Sequence, residues 1–338
     1  VRTADFDYDL PAERIALEPL DPRDSARLLV LPAEGFRDAH VRDLPDLLEP
    51  GDVLVVNDTK VRPARIFGRR KTGGRVEFLL LEREPGGVHA ALVRANKRLR
   101  PDEVVQMDGG LEARLLERPE GGAVWRIRIE GAADVDVEDV LDRVGHVPLP
   151  PYIRRPDRPE DRERYQTIFA AHGASAAAPT AGLHFTPELV ARLEAAGIEI
   201  VTVTLHVGYG TFQPIASENV EDHRLYAEDF AVTAEAAERI TNRRGRLVAV
   251  GTTTTRVLET LAATGGVRAA TGRTDLFLYP GRPFQAIDGL LTNFHLPQSS
   301  LLLLVCAFAG RERVLAAYEH ALARGYRFYS YGDAMLIL

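Results

Sequence analysis

The chain has 338 residues, 45% of them apolar and 27% charged, with a formal net charge of −7. That length suggests roughly two domains, and the composition is that of a globular protein, which excludes disordered and fibrous classes. The only cysteine, Cys306, excludes an internal disulfide framework and fits a reducing compartment.

Cys306 lies in the apolar run 301–309, far shorter than the roughly 20 residues a bilayer-crossing helix needs. The acidic start V-R-T-A-D-F-D-Y-D-L-P lacks a signal-peptide pattern, so a cytoplasmic location without membrane association is expected. The negative net charge weighs against a broadly basic nucleic-acid surface, although clustering sets the local field. Basic clusters occur at 69–71, 94–100, 154–164 and 243–246. With 39 arginines to 3 lysines, solvated arginine-rich surface is the ordinary reading of any one of them.

In chain order, residues 53–56 read as a short apolar strand after the turn Pro50-Gly51-Asp52. Asn57 and Asp58 end it, and Pro63 discourages its continuation. Short β-like runs recur at 76–81, 88–93, 111–116 and 124–129, separated by glycine-rich turns. In the last run Trp125, Ile127 and Ile129 alternate with Arg126 and Arg128, the period-two pattern of a half-buried strand. Strands at this spacing predict a small barrel or sandwich. The proline-rich, basic stretch 146–159 reads as a linker or boundary.

Helices and strands then alternate. Thr186 is placed as the N-cap of a helix with Pro187 at its first position. Leu189, Val190, Leu193 and Ala196 form its apolar face, and Gly197 ends it. Strands are predicted at 198–205, 247–250, 276–279 and 326–330. Helices are predicted from Thr233 and over 254–264, 299–309 and 311–324. The alternation indicates an α/β fold. The simplest architecture is a discontinuous α/β domain, residues 1–61 plus 151–338, with a small β-barrel domain inserted at 62–150. A linear two-domain chain with 1–61 in the barrel fits the same strand pattern.

The stretch 179–214 carries the strongest chemical signal. A-P-T-A-G-L-H-F and T-L-H-V-G-Y-G-T-F-Q-P place His184 and His206 in Gly/Thr-rich turns flanking one helix–strand unit. Histidine titrates nearest neutral pH, and Gly182, Gly208 and Gly210 let a backbone approach a ligand closely. V-G-T-T-T-T-R (250–256) puts Thr252 and Thr253 at a strand-to-helix turn, where free N–H groups collect. Arg256 there can hold a carboxylate or phosphate; an ordinary capped turn is the competing reading. In L-T-N-F-H (291–295), Asn293 and His295 are ligand contacts or groups satisfying a buried carbonyl. Asp222 beside His223 can set an imidazole's basicity or form a plain polar loop. N-D-T-K-V-R-P-A-R (57–65) offers Asn57, Arg62 and Arg65 to an anion or to ribose hydroxyls, or forms a strand-end turn. Metal-ligand motifs, phosphate loops and serine elbows are missing, so no metal and no bound prosthetic group are expected.

Taken together, D-F-D-Y-D-L-P, G-D-V-L-V-V-N-D-T-K-V-R-P-A-R, G-H-V-P-L-P-P-Y-I-R-R-P, Y-Q-T-I-F, the two histidine motifs, V-G-T-T-T-T-R-V-L-E, L-T-N-F-H-L-P-Q-S-S-L and Y-S-Y-G-D-A-M resemble the S-adenosylmethionine:tRNA ribosyltransferase-isomerase family of queuosine biosynthesis, nearly end to end. The resemblance implies a transferase and isomerase that moves the ribosyl part of S-adenosylmethionine, a co-substrate, to 7-aminomethyl-7-deazaguanine at the tRNA wobble position. Epoxyqueuosine-tRNA forms, and adenine and methionine leave. It also implies the discontinuous α/β domain with an inserted barrel.

On that reading the partners are S-adenosylmethionine and tRNA, and the chain is expected to act as a monomer. The sulfonium acidifies the adjacent 5′ carbon, so a general base is required, and adenine leaves more easily when protonated. His184, His206, Asp222, His223 and His295 are the catalytic candidates. Arg256, Thr252 and Thr253 would hold the methionine carboxylate, and Arg62 and Arg65 would meet ribose, base or phosphate. Asn57, Asn293 and the three glycines complete the substrate-binding set. The chain departs from the family's usual pattern at Thr254-Thr255, where serine and an apolar residue are common, and at Tyr226, often histidine. Rival readings are an S-adenosylmethionine methyltransferase, which would leave S-adenosylhomocysteine, and a non-catalytic RNA-binding module.

Overall fold

The computed structural model describes residues 1–84, 86–119, 123–131, 136–208 and 215–338. The chain divides into two compact units. One comprises Val1–Lys60, Gln166–His172 and Ala178–Leu338; the other comprises Val61–Tyr165 and Gly173–Ala177.

The first unit is built on a nine-stranded sheet. Across it the strands are Ala270–Thr274, Glu228–Val232, Glu199–Leu205, Val53–Asn57, Leu247–Val250, Gly289–Asn293, Ala334–Ile337, Arg27–Leu31 and Arg37–His40. The four strands Glu199–Leu205, Val53–Asn57, Leu247–Val250 and Gly289–Asn293 run parallel, with Val201 and Ala249 both aligned to Val55. Every residue of Val53–Asn57 is buried, as parallel strands covered on both faces require. Leu54, Val56, Val248, Val250 and Leu291 share one core with Phe185, Leu189 and Leu193 of the adjoining 3-10 turn and helix. Asp52 fixes the starts of two parallel strands together: its carboxylate accepts from the Glu49 N–H at 2.9 Å, the Arg246 N–H at 2.8 Å and Arg246 Nη2 at 2.6 Å.

Local signals explain the helices. Thr186 caps Pro187–Ala195 by accepting from the Leu189 N–H at 3.1 Å, Thr233 caps Ala234–Thr241, and Ser299 caps Ser300–Ala309. Thr252–Ala263 begins two residues before the expected start, because Gly251 takes φ 90° and turns the chain directly from strand to helix.

Two expected strands are corrected. Residues 276–279 are irregular: the Leu276 carbonyl accepts from Arg256 Nε at 3.0 Å and its N–H donates to Thr274 Oγ1 at 3.2 Å, which takes the place of ladder bonds. The strand lies earlier, at Ala270–Thr274. Residues 326–330 are also not a strand. Tyr329 takes φ 77°, which breaks extended backbone, and the terminal strand is Ala334–Ile337.

The second unit is a closed antiparallel barrel in the order Val124–Glu130, Val88–Ala95, Arg75–Glu84, Arg65–Arg70, Val104–Met107 and Glu112–Glu117. Trp125, Ile127 and Ile129 point inward with Phe78, Leu80 and Leu115, and Val140 and Leu141 of the helix Val137–Val144 join this core. Residues 151–165 and 173–177 group with the barrel, not with the α/β unit. The segment 151–165 is bound into that unit: Arg155 pairs with Asp161 through contacts of 2.6 and 2.9 Å, and Arg162 Nη2 donates to the Gly145 carbonyl at 2.6 Å. Among the described residues, no helix is long and apolar enough to cross a membrane.

Candidate active site at the carboxyl edge of the parallel strands

Ligands of open α/β sheets bind outside the carboxyl ends of the parallel strands. The expected site motifs fall at this edge. Asn57 ends one parallel strand, His206 follows the next, Gly251 and Thr252 follow the third, and Asn293 ends the fourth.

Asn57 holds these ends together. Its Nδ2 donates to the Leu205 carbonyl at 3.0 Å and to Thr253 Oγ1 at 3.2 Å, while its Oδ1 accepts from the N–H groups of Thr59 and Leu205 at 3.0 and 3.1 Å. Those four bonds use an amide's usual capacity within the protein.

Asp58, next in the chain, is the group that sequence reasoning overlooked. It is 7% exposed and accepts from Thr204 Oγ1 at 2.7 Å. His172 Nε2 stands 3.8 Å from its other oxygen. His206 Nδ1 lies 2.9 Å from Thr59 Oγ1. Burial pulls the His206 pKa below the ordinary histidine value, against the opposite pull of the Asp229 and Asp58 carboxylates. His206 is therefore a neutral imidazole at neutral pH, half-buried beside carboxylates.

His184 lies in the 3-10 turn Thr180–His184 and is 4% exposed. Its Nε2 is 3.1 Å from Asn293 Nδ2, which also donates to the Tyr329 carbonyl at 3.1 Å, while Thr180 Oγ1 donates to Asn293 Oδ1 at 3.2 Å. The Tyr329 carbonyl can only accept, so it orients the amide. His184 Nε2 must then accept, which leaves the proton on Nδ1. Burial, with Arg327 and Arg23 nearby, holds the His184 pKa down to about 4. The side chain is thus a neutral donor through Nδ1, with its basic nitrogen already engaged. A Cβ at Gly182 would come within 3.0 Å of Thr167 Cγ2, so packing inside this unit by itself accounts for that glycine.

His295 is 6% exposed, and its Nε2 lies 2.9 Å from Thr292 Oγ1. Its N–H donates to the Tyr318 hydroxyl at 2.9 Å, and the Tyr8 hydroxyl donates to its carbonyl. Burial holds its pKa down to about 3. These contacts describe a satisfied interior histidine supporting the aromatic cluster of Tyr8, Phe294, Tyr318 and Phe328.

Arg256 is already neutralised. It pairs with Glu228 and donates to the Leu276 and Thr274 carbonyls, both at 3.0 Å. Glu228 in turn accepts from the Gly208 N–H at 2.6 Å. The guanidinium expected to face a ligand carboxylate faces a protein carboxylate. Thr252 and Thr253 are buried at the start of their helix, Thr253 bonded to Asn57. Asp222 is exposed and accepts from Asn219 Nδ2 at 3.3 Å. His223 sets its ring edge-on to Phe277 with centroids 5.3 Å apart, and burial followed by Arg224 lowers its pKa. The three central histidines have separate partners: Asn293 for His184, Thr59 for His206 and Thr292 for His295. Gly210 lies outside the described residues.

Arg62 and Arg65 belong to the barrel unit, where they meet Glu138 at 3.2 Å and Glu77 at 2.9 Å. Among the described residues, no group of three His, Cys, Asp or Glu side chains is arranged to hold a metal ion.

Known proteins resemble the chain along its whole length. The family model described as "Queuosine biosynthesis protein" matches residues 3–337. An S-adenosylmethionine:tRNA ribosyltransferase-isomerase of Anaeromyxobacter sp. (strain Fw109-5) is 53% identical, over 100% of this chain and 99% of its own length. The protein of that name from Desulfitobacterium hafniense is 49% identical over 100% of both chains. The crystal structure of S-adenosylmethionine tRNA ribosyltransferase from Thermotoga maritima is similar at TM-score 0.56 and 37% identity, covering 99% of this chain and 100% of that one. With a family match over nearly its whole length and half-identical relatives of equal extent, the chain belongs to the queuosine biosynthesis protein family.

Proposed function

We propose that this chain is an S-adenosylmethionine:tRNA ribosyltransferase-isomerase. It transfers the ribosyl moiety of S-adenosylmethionine to 7-aminomethyl-7-deazaguanine at the tRNA wobble position and isomerises it, giving epoxyqueuosine-tRNA, adenine and methionine. The end-to-end likeness to relatives of that name carries the reading. The chain acts in the cytoplasm as a monomer on S-adenosylmethionine and tRNA, with neither a metal nor a bound prosthetic group.

The edge cluster suits this chemistry. A proton must leave the 5′ carbon beside the sulfonium, and a neutral imidazole next to carboxylates can accept it. His206 fills that role, its Nδ1 beside the Thr59 hydroxyl, with Asp58 stabilising the imidazolium electrostatically. A positioned base contributes about 10²–10⁴-fold. His184 donates from Nδ1 to a substrate oxygen or ring nitrogen. Asn57, Asn293 and Thr253 keep the strand ends in register. Arg62 and Arg65 engage the RNA from the barrel unit.

The test is product analysis. S-adenosylmethionine and tRNA bearing the aminomethyl base should yield epoxyqueuosine with free adenine and methionine. S-adenosylhomocysteine in their place would assign methyl transfer instead.

A further inference from the structure

Beside His184, two guanidiniums have no part in the proposed chemistry and line a pocket with it. This pocket lies within the α/β unit and is lined by Leu20, Arg23, His184, Arg327 and Ser330, among others. Arg327 is held from two sides: its N–H donates to Asp333 Oδ2 at 2.7 Å and its Nη1 reaches the Glu18 carbonyl at 3.4 Å. Its Nη2 is buried and has no hydrogen-bond partner among the described residues. Asp333 does not neutralise it closely. That carboxylate accepts from the backbone N–H groups of Arg27 and Arg327, at 3.0 and 2.7 Å, and lies 4.0 Å from Arg327 Nε. Both Arg23 and Arg327 act on His184 electrostatically, whose Nδ1 carries a proton by the argument above. Arg23 Nη1 already donates to the Gln166 carbonyl at 2.6 Å, so Arg327 Nη2 is the donor left at this concavity, with the Arg23 charge and the His184 ring beside it, a set that fits an oxyanion.

We propose that this pocket binds an oxyanion, a carboxylate or a phosphate, with Arg327 as its principal cation. Two sources follow from the proposed function, on which this step rests: the methionine carboxylate of S-adenosylmethionine, or a phosphate of the tRNA. Arg256, the cation that sequence reasoning had favoured for the carboxylate, is already engaged by Glu228.

The test uses the full chain and its Arg327→Gln variant. Millimolar inorganic phosphate, against chloride at equal ionic strength, should raise the melting temperature of the wild type and leave the variant unmoved. Calorimetric titration separates the sources. If the pocket holds the carboxylate, Arg327→Gln weakens S-adenosylmethionine binding about 10- to 100-fold. Decarboxylated S-adenosylmethionine then binds the wild type that much more weakly but shows no further loss on the variant. If it holds RNA phosphate, S-adenosylmethionine affinity is unchanged, while tRNA affinity falls and its salt dependence flattens by about one ion.

Should Arg327→Gln fail to fold, the wild-type comparison of the two sulfonium ligands, repeated with Arg23→Gln, tests the carboxylate source, and tRNA binding to Arg23→Gln tests the phosphate source. Equal phosphate stabilisation of both proteins, with sulfonium and tRNA affinities untouched, would overturn the proposal. A phosphate effect lost in the variant, in a wild type that binds neither S-adenosylmethionine nor tRNA, would support the pocket and reject the proposed function.

Discussion

Asn293 Nδ2 bridges His184 Nε2 and the Tyr329 carbonyl at 3.1 Å each, joining a parallel strand end, the 3-10 turn before a helix and the segment leading to the last strand. This one amide fixes which nitrogen of His184 carries the proton. Replacing Asn293 by Asp puts an acceptor where the donor stood. The His184 pKa should rise above about 4, and the ring should move its proton to Nε2. Nitrogen-15 NMR of the imidazole should report the Nδ1–H tautomer in the wild type and lose it in the variant. Folding stability should fall by about 1–3 kcal/mol, the scale of a disrupted buried hydrogen bond. An Nε2–H wild-type ring would refute the assignment.

His206→Gln should lower kcat about 10²–10⁴-fold with little change in melting temperature. Because the base must be neutral and its pKa is depressed, wild-type kcat should stay level as pH falls to the ordinary histidine value of about 6.5 and decline only below it. Asp58→Asn should shift that limb further toward acid, since the carboxylate's raising pull is lost. A limb above pH 6.5 that is insensitive to Asp58→Asn would remove His206 from the role.

Acid should destabilise the fold through the buried histidines. His184 and His295 have folded pKa values near 4 and 3, below their unfolded value of about 6.5. The unfolded chain therefore binds more protons between those limits. Stability is complete above pH 6.5 and is lost as pH falls through about 4 for His184 and about 3 for His295, by at most on the order of 3 and 5 kcal/mol respectively. Urea unfolding at pH 7 and pH 5 measures it. His295→Gln should be less stable at pH 7 but lose less on going to pH 5; an equal loss would show that His295 does not titrate in this way.

The Arg256–Glu228 pair makes a contrasting prediction. Both side chains are buried, and removing one partner from a buried pair costs about 3–5 kcal/mol. Arg256→Ala should therefore lower stability in urea by that order, and Glu228→Gln should also destabilise. If Arg256 instead held a substrate carboxylate, its loss would raise the KM for S-adenosylmethionine and leave stability near wild type.

Arg154 and Arg155, adjacent in a basic motif, should behave differently. Arg155 grips Asp161, a carboxylate only 3% exposed, whereas Arg154 is exposed. Arg155→Ala should destabilise the barrel unit. Arg154→Ala should leave stability intact, weaken tRNA binding and reduce its salt slope by about one. An unchanged slope would take Arg154 out of the RNA interface.

Most of the architecture was legible where one local signal decides the outcome. Thr186-Pro187 cap a helix on their own, and the alternation of Trp125, Ile127 and Ile129 needs only a period of two. The strand Arg65–Arg70 was missed because its inward positions include Gly68, whose added Cβ would sit 2.6 Å from the Gln106 carbonyl oxygen. There the backbone packs where a side chain would have shown the pattern. Ala270–Thr274 was missed because it is mostly exposed and carries no apolar alternation. In the site, the two histidine motifs stood out, but Asp58, His172 and Arg327 reach them from distant chain positions that spacing does not reveal. The Arg256–Glu228 pair was hidden for the same reason: Glu228 lies in another element.

The most direct measurement is the release of adenine, methionine and modified nucleoside, followed by mass spectrometry for the wild type and His206→Gln with S-adenosylmethionine and tRNA carrying the aminomethyl base. The account predicts equimolar adenine, methionine and epoxyqueuosine from the wild type, slowed at least about 100-fold in the variant. S-adenosylhomocysteine as the wild-type product, or equal rates from both proteins, would contradict it.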